Sequence, residues 1–349
     1  MTSTQPPSAY VARGPVDLIA IVPVVLGFHP EDSVVLLTFA PRGGGFHARV
    51  DLPADRSEQE EVTEVLLDAV RSNRVERAAV LIYTDDAEAA RSQGSLLLEG
   101  LLALGVGVIE VMRVDDGRWS LPLEDELSGA PTGAAYDLET HPFTAQRVFE
   151  GKVVHRDRAE LVDSLVGTDE DDAVEVALAA TRFAELVASS TEVRSDAAGF
   201  LRVEARWLQR RVRRWRTERR ELGPVDAARL LVLVSLTPVR DVAWAEIDRP
   251  NAGDHLELWR HLVRRSPRHL LPAACSLTAF AAWQHGDGAL AWCAIDRCLE
   301  VDPDYSMAHC LAQMLTAAVP PDVWEPIPED ALPVLDPGPA PGGSADRAS

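Results

Sequence analysis

A chain of 349 residues with 46% hydrophobic and 26% charged content has room for two globular domains and a sizeable core. Its formal charge of −21 argues against nucleic acid or an anionic membrane as the main partner. Every basic residue except Lys152 is arginine, a skew that reflects a GC-rich genome more than a function.

Residues 1–13 are expected to form a disordered leader. Gly14 and Pro15 then open an apolar helix through Leu26, with Pro23 ending or kinking it. The apolar run 18–28 is too short to span a bilayer and has neither a basic segment before it nor a cleavage signature after it, so a cytoplasmic protein is expected. Residues 33–39 and 46–52 read as two strands joined by the glycine-rich turn 41–45, a β-hairpin. Ser57, with Glu60 three positions on, predicts a capped helix to about Asn73. The buried strand 77–83, a helix to Leu104 capped by Thr84, Asp85 and Asp86, and a strand over 106–114 make a βαβ unit and hence a parallel strand pair. Residues 121–140 read as an irregular connection, followed by helices over 141–151 and 157–166.

From the acidic run 169–172 to Leu222 the pattern is helical, with a break expected near Gly199. Helices continue to Val319, and a proline- and glycine-rich disordered tail is expected over 320–349. The expected architecture is therefore an α/β domain over 14–166, a sandwich around a mixed sheet, followed by an all-α domain over 167–319.

Residues 286–303, GDGALAWCAIDRCLEVDP, resemble the turn and second helix of a tetratricopeptide repeat. Gly286 and Asp287 turn the chain, Ala291 and Cys298 permit close helix approach, and Pro303 stops the helix. A fainter copy over 254–267 ends in a proline 36 residues before Pro303, with a partner helix expected over 225–236. Two units are fewer than a free-standing solenoid needs, so the helices of 170–222 are expected to cap the stack. The four cysteines also fall in this region. Cys293 and Cys298, five apart, diverge by about 140° on a helix. Buried thiols are thus expected in place of a zinc site with His309, and neither a metal nor a cofactor is implied.

Several polar groups are candidates for a site, and each has a plainer structural reading. His29, Asp32 and Ser33 join a helix to a strand; they form a candidate polar site or serve the turn. Asp85 and Asp86 lie at the carboxyl end of a parallel strand, where open α/β sheets bind ligands, and are also good helix caps. His141 and Arg147 suggest an anion clamp or a surface helix. Nine arginines over 202–220 surround an apolar seam of Leu201, Leu208, Val212, Trp215 and Leu222. Among them Arg210, Arg213 and Arg214 form a candidate anion site, against pairing with the protein's own carboxylates.

The stretches LIAIVPVVLGFHPEDSVVLL, GKVVHRDRAELVDSLV and GDGALAWCAIDRCLEVDPDYSMA together resemble the actinobacterial domain of unknown function 4192 family. The resemblance implies an α/β part and a helical part in a cytosolic protein, and carries no catalytic residue. The expected function is that of a non-enzymatic interaction or regulatory protein holding a protein partner on its helical domain. Two alternatives stand beside it. One is a small-molecule or nucleotide-processing enzyme with its site in the α/β domain; the other is nucleic-acid association through the helix of 202–220.

Overall fold

The computed structural model describes residues 11–39, 45–123, 133–149 and 153–336, with backbone alone over 147–149. The chain forms two compact units, one of residues 1–164 with 287–290 and 312–320, the other of 165–286, 291–311 and 321–349. Among the described residues, no helix is long and apolar enough to cross a membrane.

The first unit is built on a six-stranded sheet of order β2-β1-β3-β4-β5-β6. Strand β1 (Ser33–Phe39) runs antiparallel to both β2 (His47–Asp51) and β3 (Arg77–Tyr83), and β3 runs parallel to β4 (Gly107–Asp115). Helices α1 (Pro15–Leu26), α2 (Arg56–Ser72) and α3 (Ala87–Ala103) flank these strands in sequence. Strands β1 and β3 are near-continuous apolar runs because both their faces are covered. Val34, Leu36, Val80 and Ile82 meet Leu66, Leu67, Leu97 and Leu101 of α2 and α3 in one core cluster. The alternate residues Val35, Leu37, Ala79 and Leu81 are equally buried on the opposite face.

In this unit two details differ from expectation. Helix α2 starts at Arg56, because the Asp55 carboxylate accepts from the Ser57 N–H at 2.7 Å and takes the capping role expected of Ser57. Part of the connection after β4 is strand: β5 (Arg118–Ser120) and β6 (Ala134–Ala135) extend the sheet edge. Three- and two-residue strands are too short to show a period, so they escape pattern reading. Helices α4 (Pro142–Phe149) and α5 (Arg158–Asp163) follow, with Asp157 capping α5 through the Glu160 N–H at 2.8 Å. The turn expected over 41–45 lies, but for Gly45, outside the described residues.

The second unit is helical. Helix α6 (Glu170–Ser189) is capped by Asp169, whose carboxylate accepts from the Asp172 N–H at 3.0 Å. The break expected at Gly199 falls earlier: Ser190 and Asp196 cap α7 (Thr191–Ser195) and α8 (Ala197–Glu218), leaving Gly199 in the first turn of α8. Then come α9 (Pro224–Val234), α10 (Thr237–Ala245), α11 (Ala252–Arg265) and α12 (Leu271–His285). Helix α9 packs chiefly on α6, and α10 intervenes before α11, so the helix expected over 225–236 is not a simple hairpin partner of 252–265. Helix α11 packs chiefly on α12.

Helix α12 ends at Gly286, whose φ of 87° is the left-handed turn that glycine favours. Helix α13 (Gly288–Leu299) follows, with the Cys298 thiol 3.3 Å from the carbonyl of Pro272 near the start of α12. That contact joins the end of one helix to the beginning of the other, as an antiparallel hairpin requires. Helix α14 (Ser306–Thr316) closes the helical series. The three thiols Cys275, Cys293 and Cys298 are buried and Cys310 is exposed. Where a disordered tail is expected, residues 321–336 instead lie on helices of their own unit: Trp324 stacks on Trp244, and Leu332 and Leu335 are buried.

Candidate functional site

The carboxyl ends of the parallel strands β3 and β4, together with the loop entering β1, enclose a cleft of about 410 Å³. A fold of this kind places a cleft there for a geometric reason. The chain leaves adjacent parallel strands in diverging directions, and the gap between those exits is not filled by backbone. Its lining includes Ile19 and Pro23 of α1, His29, Glu31 and Asp32 from the loop, Tyr83 at the end of β3 with Asp85 beyond it, Asp115 at the end of β4 with Asp116 beyond it, and Tyr136.

Each segment is fixed by local chemistry. Gly27 ends α1 at φ 77°, with its N–H on the carbonyl of Pro23 at 3.1 Å. The loop is then tied down by a ladder to another segment: the His155 N–H reaches the Gly27 carbonyl at 2.7 Å and the His29 N–H reaches the His155 carbonyl at 3.2 Å. Asp32 enters β1 at φ 40° and Asp116 sits at φ 41°, the left-handed region that aspartate tolerates better than most residues. On the other wall Arg113 binds the carbonyl of Thr84 at 3.0 Å and that of Asp85 at 2.6 Å, and pairs with Asp115 at 2.8 Å. One guanidinium therefore holds the exits of β3 and β4 in register. The Thr84 hydroxyl accepts from the Asp86 N–H at 3.1 Å.

The electrostatics are lopsided. Glu31, Asp32, Asp85, Asp115 and Asp116 face a cleft in which Arg113 offsets one of them. Desolvation holds the His29 imidazole below its usual range, so it is neutral at neutral pH. Burial pushes the Tyr83 phenol well above 10, and desolvation, reinforced by Asp115 and Asp116, raises that of Tyr136. Both phenols are hydrogen-bond donors at any physiological pH. The Tyr83 hydroxyl is shut off from solvent and meets no hydrogen-bond partner, which costs about 1–3 kcal/mol.

The sequence candidates divide. The cleft brings His29, Asp32 and Asp85 together. Ser33 is not part of the lining and accepts from Arg49 Nε at 2.8 Å, a structural contact. Asp86 caps α3 through the N–H groups of Glu88 and Ala89, at 2.8 and 3.0 Å. His141 pairs with Asp17 at 3.0 Å and is not part of the lining. The side chain of Arg147 lies outside the described residues. On α8, Arg213 pairs with Glu246 and Glu329 and Arg214 with Glu218, while Arg210 is exposed. Sequence reasoning missed Tyr83, Asp115, Asp116 and Tyr136. The first two terminate parallel strands and were findable by that rule; Tyr136 follows a two-residue strand and gave no signal. Among the described residues, no group of three or more His, Cys, Asp or Glu is arranged to hold a metal ion.

A family model matches residues 15–322. The chain belongs to the family described as Domain of unknown function (DUF4192). That span takes in the whole cleft lining and most of the helical unit. No curated protein and no solved structure matches the chain significantly.

Proposed function

We propose that this DUF4192 protein is a non-catalytic regulatory protein whose α/β unit binds a small organic cation in the cleft at the ends of β3 and β4. The observation that carries the reading is the ring of carboxylates Glu31, Asp32, Asp85, Asp115 and Asp116 around the cleft, of which Arg113 pairs with Asp115. An ammonium or guanidinium group would be drawn in by the carboxylates and could lie against the tyrosine ring faces. The cleft volume suits a metabolite-sized molecule.

The helical unit has the complementary part in this reading: it holds a protein partner on a tetratricopeptide-like surface. Support comes from the α12–α13 hairpin around Gly286, with Ala291 and Cys298 fully buried. The setting is the cytosol of an actinobacterium, in keeping with the arginine-for-lysine skew and the free thiols. An enzyme is the second reading, carried by the neutral His29 imidazole on the cleft wall, a group suited to accept a proton.

Thermal-shift and calorimetric titration with putrescine, spermidine and arginine, beside neutral and anionic metabolites of similar size, tests the proposal. The cations are expected to raise the melting temperature by mass action. Asp85→Asn combined with Asp116→Asn should weaken binding at least tenfold. Binding of no cation, or binding indifferent to both substitutions, defeats it.

A further inference from the structure

Residues 321–336 form a strap over helices of their own unit. A 3₁₀ turn (Pro321–Val323) leads to Trp324, whose ring stacks on Trp244 at 5.2 Å and meets Phe280 edge-on at 5.0 Å. Five residues on, Glu329 enters a cradle on α8. Its carboxylate accepts from Arg206 at 3.0 Å and from Gln209 and Arg213 at 2.8 Å each. Positions 206, 209 and 213 are spaced by three and four, so they share one helix face. Leu332 and Leu335 then bury their side chains.

We infer that this strap is a resident, exchangeable ligand in a peptide-binding groove. From a partner protein the groove accepts an extended segment of the same chemistry: an aromatic ring, a carboxylate five residues later, and leucines beyond it.

Four observations support this. First, the cradle is pre-built. Glu246 receives the Arg213 guanidinium through two hydrogen bonds, at 2.8 and 2.7 Å, and the buried Gln209 amide at 2.9 Å. Arg206 and Arg213 facing Glu246 leave about one positive charge to be met, which suits a carboxylate better than a phosphate dianion. Second, the strap holds itself together poorly. It consists of two single 3₁₀ turns (Pro321–Val323 and Glu329–Ala331) joined through Pro326 and Pro328, with most of its side chains exposed. Such a segment opens locally at small cost. Third, its own fit is imperfect: the indole N–H groups of Trp324 and Trp244 are both buried without an acceptor. A partner segment that supplied an acceptor there would gain what the strap forgoes. Fourth, the recognition is of two distinct kinds, aromatic floor and carboxylate cradle, so the register of an incoming segment is set. Tethering gives the strap an effective concentration on the order of millimolar, so the intact chain shields the groove from weak competitors.

The test uses the full chain and a fluorescent peptide spanning 321–336. With Trp324→Ala and Glu329→Arg, the chain should bind the peptide at least tenfold more tightly than the unaltered chain does. Adding Arg213→Glu should abolish binding, as should Trp324→Ala in the peptide. Replacing the peptide's Glu329 by phosphoserine should weaken it; equal or tighter binding overturns the carboxylate preference. A folded double variant with no gain overturns the groove. Hydrogen exchange on the unaltered chain guards against a variant that fails to fold. Strap amides should exchange by local opening, far faster than the interior of α8. Protection equal to α8 would show the strap to be fixed core, and the proposal would fail.

Discussion

His255 on α11 has no exposed surface, and desolvation with help from Arg216 lowers its pKa from 6.5 to about 3. The folded helical unit therefore excludes a proton that the unfolded chain takes up readily. Its stabilising contribution is complete above pH 6.5 and is lost progressively as pH falls toward about 3. At pH 5 the loss should be about 2 kcal/mol, one and a half pH units of linkage. His29 and His261 are lowered too and add to the same slope, whereas the lowered carboxylates Asp17, Asp157 and Glu329 act only further into acid. Melting curves at pH 7.5 and pH 5 should show the drop, and His255→Leu should shrink it whatever its effect at pH 7.5. An unchanged drop would mean that the buried imidazole is not its source. Residues of the cleft were legible where local rules apply. His29 and Asp32 were marked by a helix-to-strand turn, and Asp85 by the strand-end rule. Ser33 and Asp86 carry the same signals yet serve backbone and arginine partners, because one residue of register decides whether a side chain faces the cleft or the fold.

At the scale of elements, helices and strands longer than about six residues were read with the right type, because their apolar period is imposed by burial on one face or two. Their ends were less legible. Asp55 displaced Ser57 as a cap, and Ser190 and Asp196, not Gly199, broke the long helical stretch. Capping side chains compete within two or three residues, and tertiary contacts choose among them. The strap escaped for another reason: its composition cannot fold alone, and what orders it is Trp244 and the α8 cradle, distant in sequence. The α12–α13 hairpin is the element on which the tetratricopeptide-like proposal rests. Ala291 is 0% exposed, so Ala291→Arg buries an unpaired charge in a tightly filled site. It should cost about 3 kcal/mol or more, seen as a lower melting temperature or loss of soluble protein. Ala291→Gly, at about 1 kcal/mol for the helix interior, calibrates the site. A melting temperature for Ala291→Arg equal to that of the unaltered chain would remove the hairpin's tight approach from the argument.

For the molecule as a whole, the charge of −21 and the nine arginines over 202–220 pull in opposite directions. The ion pairs show how the balance is struck. Arg206 and Arg213 meet Glu329, Arg211 meets Asp226, Arg216 meets Asp254, and Arg219 meets Asp254 and Glu257. The basic helix is thus largely neutralised by its own unit. Of the three arginines proposed as an anion site, Arg213 is doubly engaged and Arg214 pairs with Glu218 at 3.2 Å along the helix. A phosphate backbone would have to displace those carboxylates one by one, against the repulsion of the remaining acidic surface. DNA and RNA are therefore expected to bind no more tightly than about the micromolar, non-specific range at physiological salt. Reversing Arg210, Arg213 and Arg214 to glutamate should change that weak binding little, since few counterions are released there. Fluorescence polarisation with labelled duplex and single strands, repeated across salt, measures both. A nanomolar complex with a steep salt slope, lost in the triple variant, would mean that the carboxylates yield to phosphate and that the helix is a nucleic-acid site.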